Sequence, residues 1–220
     1  MENTILVLAT RNRGKSREIK DFLKEFPVEI KDLTDFGPIP QVEEDGRDFE
    51  ENAFKKASFT AKVLGLPTLA DDSGLEVDAL GGAPGVHSAR YAGPDADDAA
   101  NNRKLLEALD GVSTRTARFQ CALSLAVPTG FALTYEAQCE GLIVEAPRGE
   151  NGFGYDPLFH YPPLEKTFGE MTLEEKGRVS HRGKALQELK SEFDKVLVWI
   201  RQRLEEEKRL LVGDICQDDH

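Results

Sequence analysis

Apolar residues in the chain recur with two spacings, and the changes between them mark its elements. Ile5 to Ala9 is a continuous apolar run of strand length. A polar stretch from Thr10 to Ser16 follows, and then Ile19, Phe22, Leu23 and Phe26 recur at helical spacing, giving strand, loop and helix. Val28 to Leu33 predicts a second strand, and Thr34 to Asp45, with its glycine and prolines, a loop. Asp48 with Glu51 has the form of a capping box, opening a helix to Leu64 whose inner face takes Phe49, Ala53, Ala57, Ala61 and Leu64. Leu66 to Ala70 predicts a buried strand that stops at Asp71-Asp72-Ser73-Gly74. Leu75, Val77 and Ala79 alternate as a further half-buried strand before the irregular loop at Gly81-Gly82-Ala83-Pro84-Gly85. A helix is predicted over Asp95 to Leu109. Residues 117–127 and 131–139 alternate cleanly around Pro128-Thr129-Gly130 as an antiparallel hairpin, continued by Leu142 to Val144. Leu186, Leu189, Phe193, Val196, Leu197, Ile200 and Leu204 predict one long helix, with Ser180 as its N-cap. The order of elements predicts an α/β fold with a mixed sheet.

With 220 residues and no linker-like stretch, the chain predicts one domain over residues 1–208 and an acidic tail over 209–220. A net charge of -12 excludes sequence-independent binding to nucleic acid, which needs surplus Lys and Arg, but leaves room for a nucleotide-sized anion where cations are local. The amino terminus lacks the basic flank and cleavage site of a signal peptide, and no apolar run reaches spanning length. The expectation is a cytoplasmic protein without membrane contact. Cys121, Cys139 and Cys216 have no metal-type spacing and read as packing residues of a reducing compartment.

Candidate chemistry sits at five stretches. Neighbouring strand residues point to opposite faces, so only one of Asp71 and Asp72 can address a given pocket. Thr10, Asn12 and Lys15 precede or open a helix, where free N–H groups and the dipole favour phosphate oxygens. Gly14-Lys15-Ser16 matches the end of a Walker A loop, yet Ala9 stands where that motif needs glycine, so the Walker reading is rejected. The acidic run Glu43-Glu44-Asp45 can supply a carboxylate to Mg2+, which binds through one or two carboxylates plus substrate phosphates. Phe153, in a loop between glycines, can stack on a base, and Asp156 can hydrogen-bond one. His181 and Arg182 fall in the first turn after Ser180, where cations oppose the helix dipole, so both are expected to face an anion or polar ligand.

None of these stretches is specific alone. Leu-Ala-Thr-Arg-Asn-Arg-Gly-Lys, Glu-Glu-Asp-Gly-Arg-Asp-Phe-Glu-Glu-Asn-Ala, Ala-Asp-Asp-Ser-Gly-Leu through Ser-Ala-Arg-Tyr-Ala-Gly, Gly-Phe-Gly-Tyr-Asp-Pro-Leu-Phe and Glu-Lys (Glu175-Lys176) through Ser-His-Arg-Gly-Lys-Ala-Leu occur in this order over residues 5 to 190. Together they resemble the noncanonical purine nucleoside triphosphate pyrophosphatases, also called inosine or xanthosine triphosphate pyrophosphatases. Arg11 departs from the glycine common in bacterial members, and the chain past Leu204 is longer than the family's usual end.

The resemblance implies an elongated mixed sheet flanked by helices, two lobes with a central cleft, and a homodimer. It implies Mg2+-dependent hydrolysis of inosine, deoxyinosine and xanthosine triphosphates to monophosphate and pyrophosphate. Carried over, Asp72 is the proton acceptor, and Asp72 and Glu44 hold the metal. Thr10, Arg11, Asn12, Arg13, Gly14 and Lys15 form the substrate-binding loop. Ser73, Phe153, Gly154, Tyr155, Asp156, Lys176, His181 and Arg182 complete the substrate contacts. A 6-oxo purine presents an acceptor to Lys176 or Arg182 where adenine presents an amino donor. Two alternatives remain at this level: a nucleotide pyrophosphatase of different base preference, as in Maf proteins, and a nucleotide-binding sensor without turnover.

Overall fold

The structure, a computed structural model, describes residues 4–215. Strand β1 (Thr4–Leu8) leads through helix α1 (Arg13–Leu23) to β2 (Val28–Asp32), and α2 (Phe49–Leu64) crosses back to β3 (Thr68–Val77). Helix α3 (Asp98–Ala108) precedes the hairpin β4 (Thr116–Ala126) and β5 (Ala132–Ile143). The short β6 (Phe159–Tyr161) and β7 (Lys166–Thr167) follow, then α4 (Leu173–Val179), α5 (His181–Ser191) and α6 (Phe193–Ile215). The seven strands lie in the order β2-β1-β3-β4-β5-β6-β7. β1 pairs in parallel with β2 and β3, as helical crossovers require, while every other pairing is antiparallel. The mixed sheet follows the sequence-based expectation.

Alternation along β3 decides which layer each residue meets. Leu69 joins a core made with Leu6, Leu8, Ile19, Leu23, Leu186, Leu189 and Phe193, which covers one sheet face with α1, α5 and α6. Ala70 turns to the opposite face and packs on Ala57 and Ala61 of α2. Leu75 belongs to a second core, with Leu105, Phe119, Phe159 and Phe168, at the far end of the sheet. Each such fully buried Leu or Phe contributes roughly 1.5–3 kcal/mol over its exposed state. Between Leu69 and Leu75, β3 carries the two aspartates from one core to the other.

Here the structure corrects the sequence reading. β3 does not stop at Asp71; it runs unbroken to Val77, with Thr68 to Val77 paired to β4 from Ala126 back to Ala117. Gly74 is not a corner but a close approach, since a Cβ there would lie 2.5 Å from the Gly85 carbonyl oxygen and 2.6 Å from Ser88 Oγ. The long C-terminal helix is two helices, α5 and α6, separated at Glu192, whose carboxylate accepts the Tyr135 hydroxyl at 2.6 Å. The apolar stripe keeps its spacing across that break, so periodicity alone does not see it. α3 opens at Asp98 rather than Asp95, capped by Asp97. Asp48 caps α2 as expected, but Glu51 accepts the backbone N–H of Arg47, not of Asp48, so the reciprocal half of the box is displaced by one residue. α6 continues through Ile215, and the end of the expected acidic tail, residues 216–220 with Cys216, lies outside the described residues.

Candidate active site

On the face of β3 toward α1 and α5, Asp71 has no exposed side-chain surface. Arg182 Nε donates to its Oδ2 at 2.7 Å, and the Ser73 hydroxyl donates to its Oδ1 at 2.7 Å. The Lys15 ammonium pairs with the same carboxylate, and the Cys121 thiol donates to it at 3.3 Å, so that cysteine does more than fill space. Arg182 also reaches Glu18 at 2.5 Å, Glu18 accepts from Lys176 at 2.7 Å, and Lys176 from α4 meets Asp156 at 2.6 Å. Five charges of alternating sign thus join β3, α5, α1, α4 and the 153–156 loop. Burial pushes the Asp71 carboxyl up, but Arg182 and Lys15 outweigh it and hold it well below the usual range. Glu18 is lowered too, with Arg182 and Lys176 overcoming its burial. At Asp156 burial prevails over Lys176 and the group is raised.

His181 caps no charge. It is buried and its pKa lies well below 6.5, because burial and the neighbouring Arg182 and Lys176 both disfavour the imidazolium. It is neutral, and its ring stacks on Phe119 with centroids 4.6 Å apart. The expectation of two cations in the first turn of α5 is therefore corrected to one, Arg182, which meets anions as expected. Ser180 caps the helix, accepting from the Gly183 N–H.

The other face of β3 holds a second, smaller charge group. Lys56 of α2 donates to Asp72 Oδ1 at 2.6 Å and to the Asp71 carbonyl at 2.9 Å, and Glu44 Oε2 lies 3.6 Å from the same ammonium. Asp72 Oδ2 is buried and without a hydrogen-bond partner among the described residues. Burial raises the Asp72 pKa despite Lys56 and Lys15. Glu44 is half-buried where Glu43 is exposed, and its carbonyl accepts from Arg90 at 3.2 Å, which fixes the acidic loop against the body.

Two cavities meet at this strand. One, about 250 Å³, is lined by Thr10, Arg11, Asn12, Lys15, Glu44, Lys56, Asp71, Asp72 and Ser73. The other, about 220 Å³, is lined by Asn12, Lys15, Ser73, Phe119, Phe153, Gly154, Tyr155, Asp156, Lys176, His181 and Arg182. Asn12, Lys15, Ser73 and Ala89 line both. Asn12 is the N-cap of α1, accepting from Lys15 N–H at 3.0 Å, and its own N–H donates to the Thr10 hydroxyl at 3.1 Å. Arg11 donates to the Ile39 carbonyl at 3.1 Å. Arg13 and Gly14 line neither cavity, but Gly14 makes room for Phe153, whose ring carbon Cδ1 would lie 2.3 Å from a Cβ at position 14. Tyr155 is anchored in the second core, its hydroxyl donating to the Ser88 carbonyl at 2.9 Å.

Sequence reasoning missed Lys56, Glu18 and Phe119. Lys56 had a signal: it lies seven residues after Phe49 and four before Thr60, on the buried stripe of α2, where an unpartnered lysine is out of place. Glu18 lies four residues before Phe22 at the edge of the inner face of α1, which is ambiguous without a partner in view. Phe119 carried no signal distinct from core packing. A larger cavity, about 330 Å³, opens between α1 and α4–α5 and shares Glu18 and Arg182 with the ion network. Its rim charges pair with one another, Lys24 with Asp21 at 2.9 Å and Lys190 with Glu25 at 2.7 Å.

Fold and site together define a mixed α/β protein with a two-part pocket, one part cationic and acidic, the other aromatic, as a nucleotide requires. The chain belongs to the Ham1 family, whose pattern matches residues 6–192. It is 69% identical over 218 residues to a dITP/XTP pyrophosphatase of Syntrophobacter fumaroxidans, covering 98% of this chain and 94% of that protein. It is 57% identical to a dITP/XTP pyrophosphatase of Desulfotalea psychrophila, covering 93% and 92%. Among solved structures, a HAM1 protein from Coxiella burnetii superposes with a TM-score of 0.80 at 42% identity, covering 87% of this chain and 99% of that one. The Ham1 protein of Staphylococcus aureus gives 0.78 at 40%, with the same coverage.

Proposed function

We propose that the protein hydrolyses noncanonical purine nucleoside triphosphates to monophosphate and pyrophosphate, removing deaminated purines from the nucleotide pool. The observation that carries this is the shared wall of the two cavities: Lys15 and Ser73 line both, so a nucleoside in the aromatic part extends its phosphates into the part lined by Lys56 and Asp72. We read the gap between the two cores as the substrate cleft of a homodimeric, cytoplasmic enzyme; buried free Cys121 and Cys139 suit a reducing compartment. No helix among the described residues is long and apolar enough to cross a membrane.

Water attacks the α-phosphorus, the α–β phosphoanhydride bond breaks, the water proton passes to Asp72 Oδ2, and pyrophosphate leaves. Asp72 has one carboxylate oxygen held by Lys56 and the other buried without a partner among the described residues, which leaves it able to accept a proton. Lys15 and Lys56 are placed to hold the phosphates, the work that dominates phosphoryl chemistry. Glu44 and Asp72 already converge on one cation, the Lys56 ammonium, so these two carboxylates would suit a divalent cation as well. Among the described residues no group of three or more His, Cys, Asp or Glu side chains gathers that could hold a metal ion by itself. Mg2+, when bound there by Glu44 and Asp72, supplies neutralisation of charge on the reacting phosphates.

In the aromatic part, Phe153 offers a stacking face beside Lys176, whose ammonium lies 4.6 Å from the ring centre, and Arg182 at 5.6 Å. Neutral His181 has an Nδ1 there with no hydrogen-bond partner among the described residues. A 6-oxo purine brings an acceptor to these donors, and adenine brings a clashing amino group, a difference worth up to roughly four orders of magnitude. Pyrophosphate release measured across inosine, deoxyinosine, xanthosine, guanosine, adenosine and pyrimidine triphosphates tests the reading. Rates on the first three are expected to exceed the ATP rate by at least about a hundredfold, and equal rates on ATP would refute it.

Gly14 supplies a second test of the stacking surface. Gly14→Ala places a methyl group into the Phe153 ring and is expected to raise KM for inosine triphosphate by about tenfold, since base stacking on an aromatic is worth roughly 1–3 kcal/mol. Steady-state kinetics with an unchanged KM would remove Phe153 from the base site.

A further inference from the structure

The aromatic loop is gripped from a helix to which no role has been given. Asp98 and Asn102 lie one turn apart on the same face of α3. Asp98 Oδ2 accepts the Gly154 N–H at 2.7 Å, and Asn102 Nδ2 donates to the Gly154 carbonyl at 3.0 Å. Both main-chain groups of one residue are therefore taken by side chains of a single helix. Gly154 follows Phe153 directly and has φ +62°, a left-handed conformation that fixes the direction in which the chain leaves the ring. The N–H of Phe153 is taken in turn by Asp156 at 2.9 Å. The same helix also ties the opposite wall: Asn101 Oδ1 accepts from Ala92 N–H at 2.8 Å, and its Nδ2 donates to the Ala89 carbonyl at 3.2 Å. Ala89 lines both cavities and Asp98 lines the aromatic one.

We infer that Asp98 and Asn102 are positioning residues that clasp Gly154 and hold Phe153 at the stacking angle, setting affinity for the nucleoside end of the substrate. This rests on the reading of Phe153 as the base platform. A loop without the clasp still carries the ring, but it must be ordered when substrate binds, and that cost appears in binding rather than in the chemical step. The phosphate end takes its charged groups from β3, α1 and α2, and α3 reaches it only through the hydrogen bond of Asn101 to Ala89, which involves neither Asp98 nor Asn102.

The test compares wild type with Asp98→Ala, Asn102→Ala and Asp98→Asn by steady-state hydrolysis of inosine triphosphate and by product inhibition with inorganic pyrophosphate. Each alanine variant is expected to raise KM about fivefold, one hydrogen bond's worth. kcat should stay within about twofold, as for loss of uniform binding, with the pyrophosphate inhibition constant unchanged. Asp98→Asn retains an oxygen that accepts the Gly154 N–H and is expected to restore the wild-type KM. An unaltered KM in both alanine variants, even with a lower Tm, overturns the clasp, and so does a parallel rise in KM and in the pyrophosphate constant. A wild type inactive on inosine and xanthosine triphosphates instead overturns the activity assigned above, and the clasp with it. An active wild type with unmoved variants overturns the clasp alone.

Discussion

Asp72→Asn is expected to lower kcat for inosine triphosphate by about a thousandfold or more while the nucleotide still binds. A positioned general base contributes roughly 10²–10⁴ in rate, and this residue has the surroundings of one. Its Oδ1 is engaged by Lys56, its Oδ2 is buried and unpartnered, and burial raises its pKa. Asparagine keeps the shape and an oxygen for Lys56 but cannot accept the proton, and it removes the negative charge that helps hold a divalent cation. Lys15, Ser73, Phe153, Lys176 and Arg182 are untouched, so the contacts assigned to substrate affinity survive. Turnover measured beside calorimetric binding of inosine triphosphate separates the two. A kcat within tenfold of wild type would exclude Asp72 as the base. A sensor without turnover would show binding and no hydrolysis in the wild type itself.

How much of this was legible in the sequence depended on whether the signal was local. β1, the α1 and α2 stripes and the β4–β5 hairpin are set by periodicity, and they stand where the pattern put them. The Asp71-Asp72-Ser73-Gly74 segment was misread because its composition is that of a turn. Its strand conformation is imposed from outside. β4 takes its backbone groups, Arg182 and Lys15 neutralise Asp71 on one face, and Lys56 neutralises Asp72 on the other. Those partners lie up to 111 residues away. Alternation alone did fix that the two carboxylates face apart, and that prediction needed no partner. Glu18 shows the opposite limit: its pairing with Lys176 and Arg182 spans more than 150 residues, and nothing in α1 announces it. His181 does not carry the expected charge for a related reason: its neutrality comes from burial, with its ring stacked on Phe119 of the distant β4, and from the cations Arg182 and Lys176 beside it.

Asp71→Asn should be the most destabilising single substitution in the site, by about 3–5 kcal/mol, the usual cost of removing one member of a buried ion pair. Arg182 is fully buried and would keep only Glu18 as a charged partner, and Lys15 would lose its carboxylate. The pH dependence identifies the cause. The folded-state pKa of Asp71 is depressed, so its contribution is fully present above the unfolded value near about 4 and is lost as pH falls toward the folded one. Asp72 has the opposite sign: its folded pKa is raised, so its ionisation opposes folding, and stability is lost as pH rises from the unfolded to the folded value. Urea denaturation at intervals between pH 3 and 7 reads both. The gap between wild type and Asp71→Asn should be widest near neutrality and should narrow below about pH 4, where the wild-type carboxylate begins to protonate on unfolding. Asp72→Asn should lose less than Asp71→Asn at neutral pH, since it deprives Lys56 of its nearest carboxylate but also removes a group whose ionisation burial disfavours. A gap for Asp71→Asn that stays constant across this range would mean that shape and packing, not charge, account for the loss, and would detach Asp71 from the ion network that joins the two cavities.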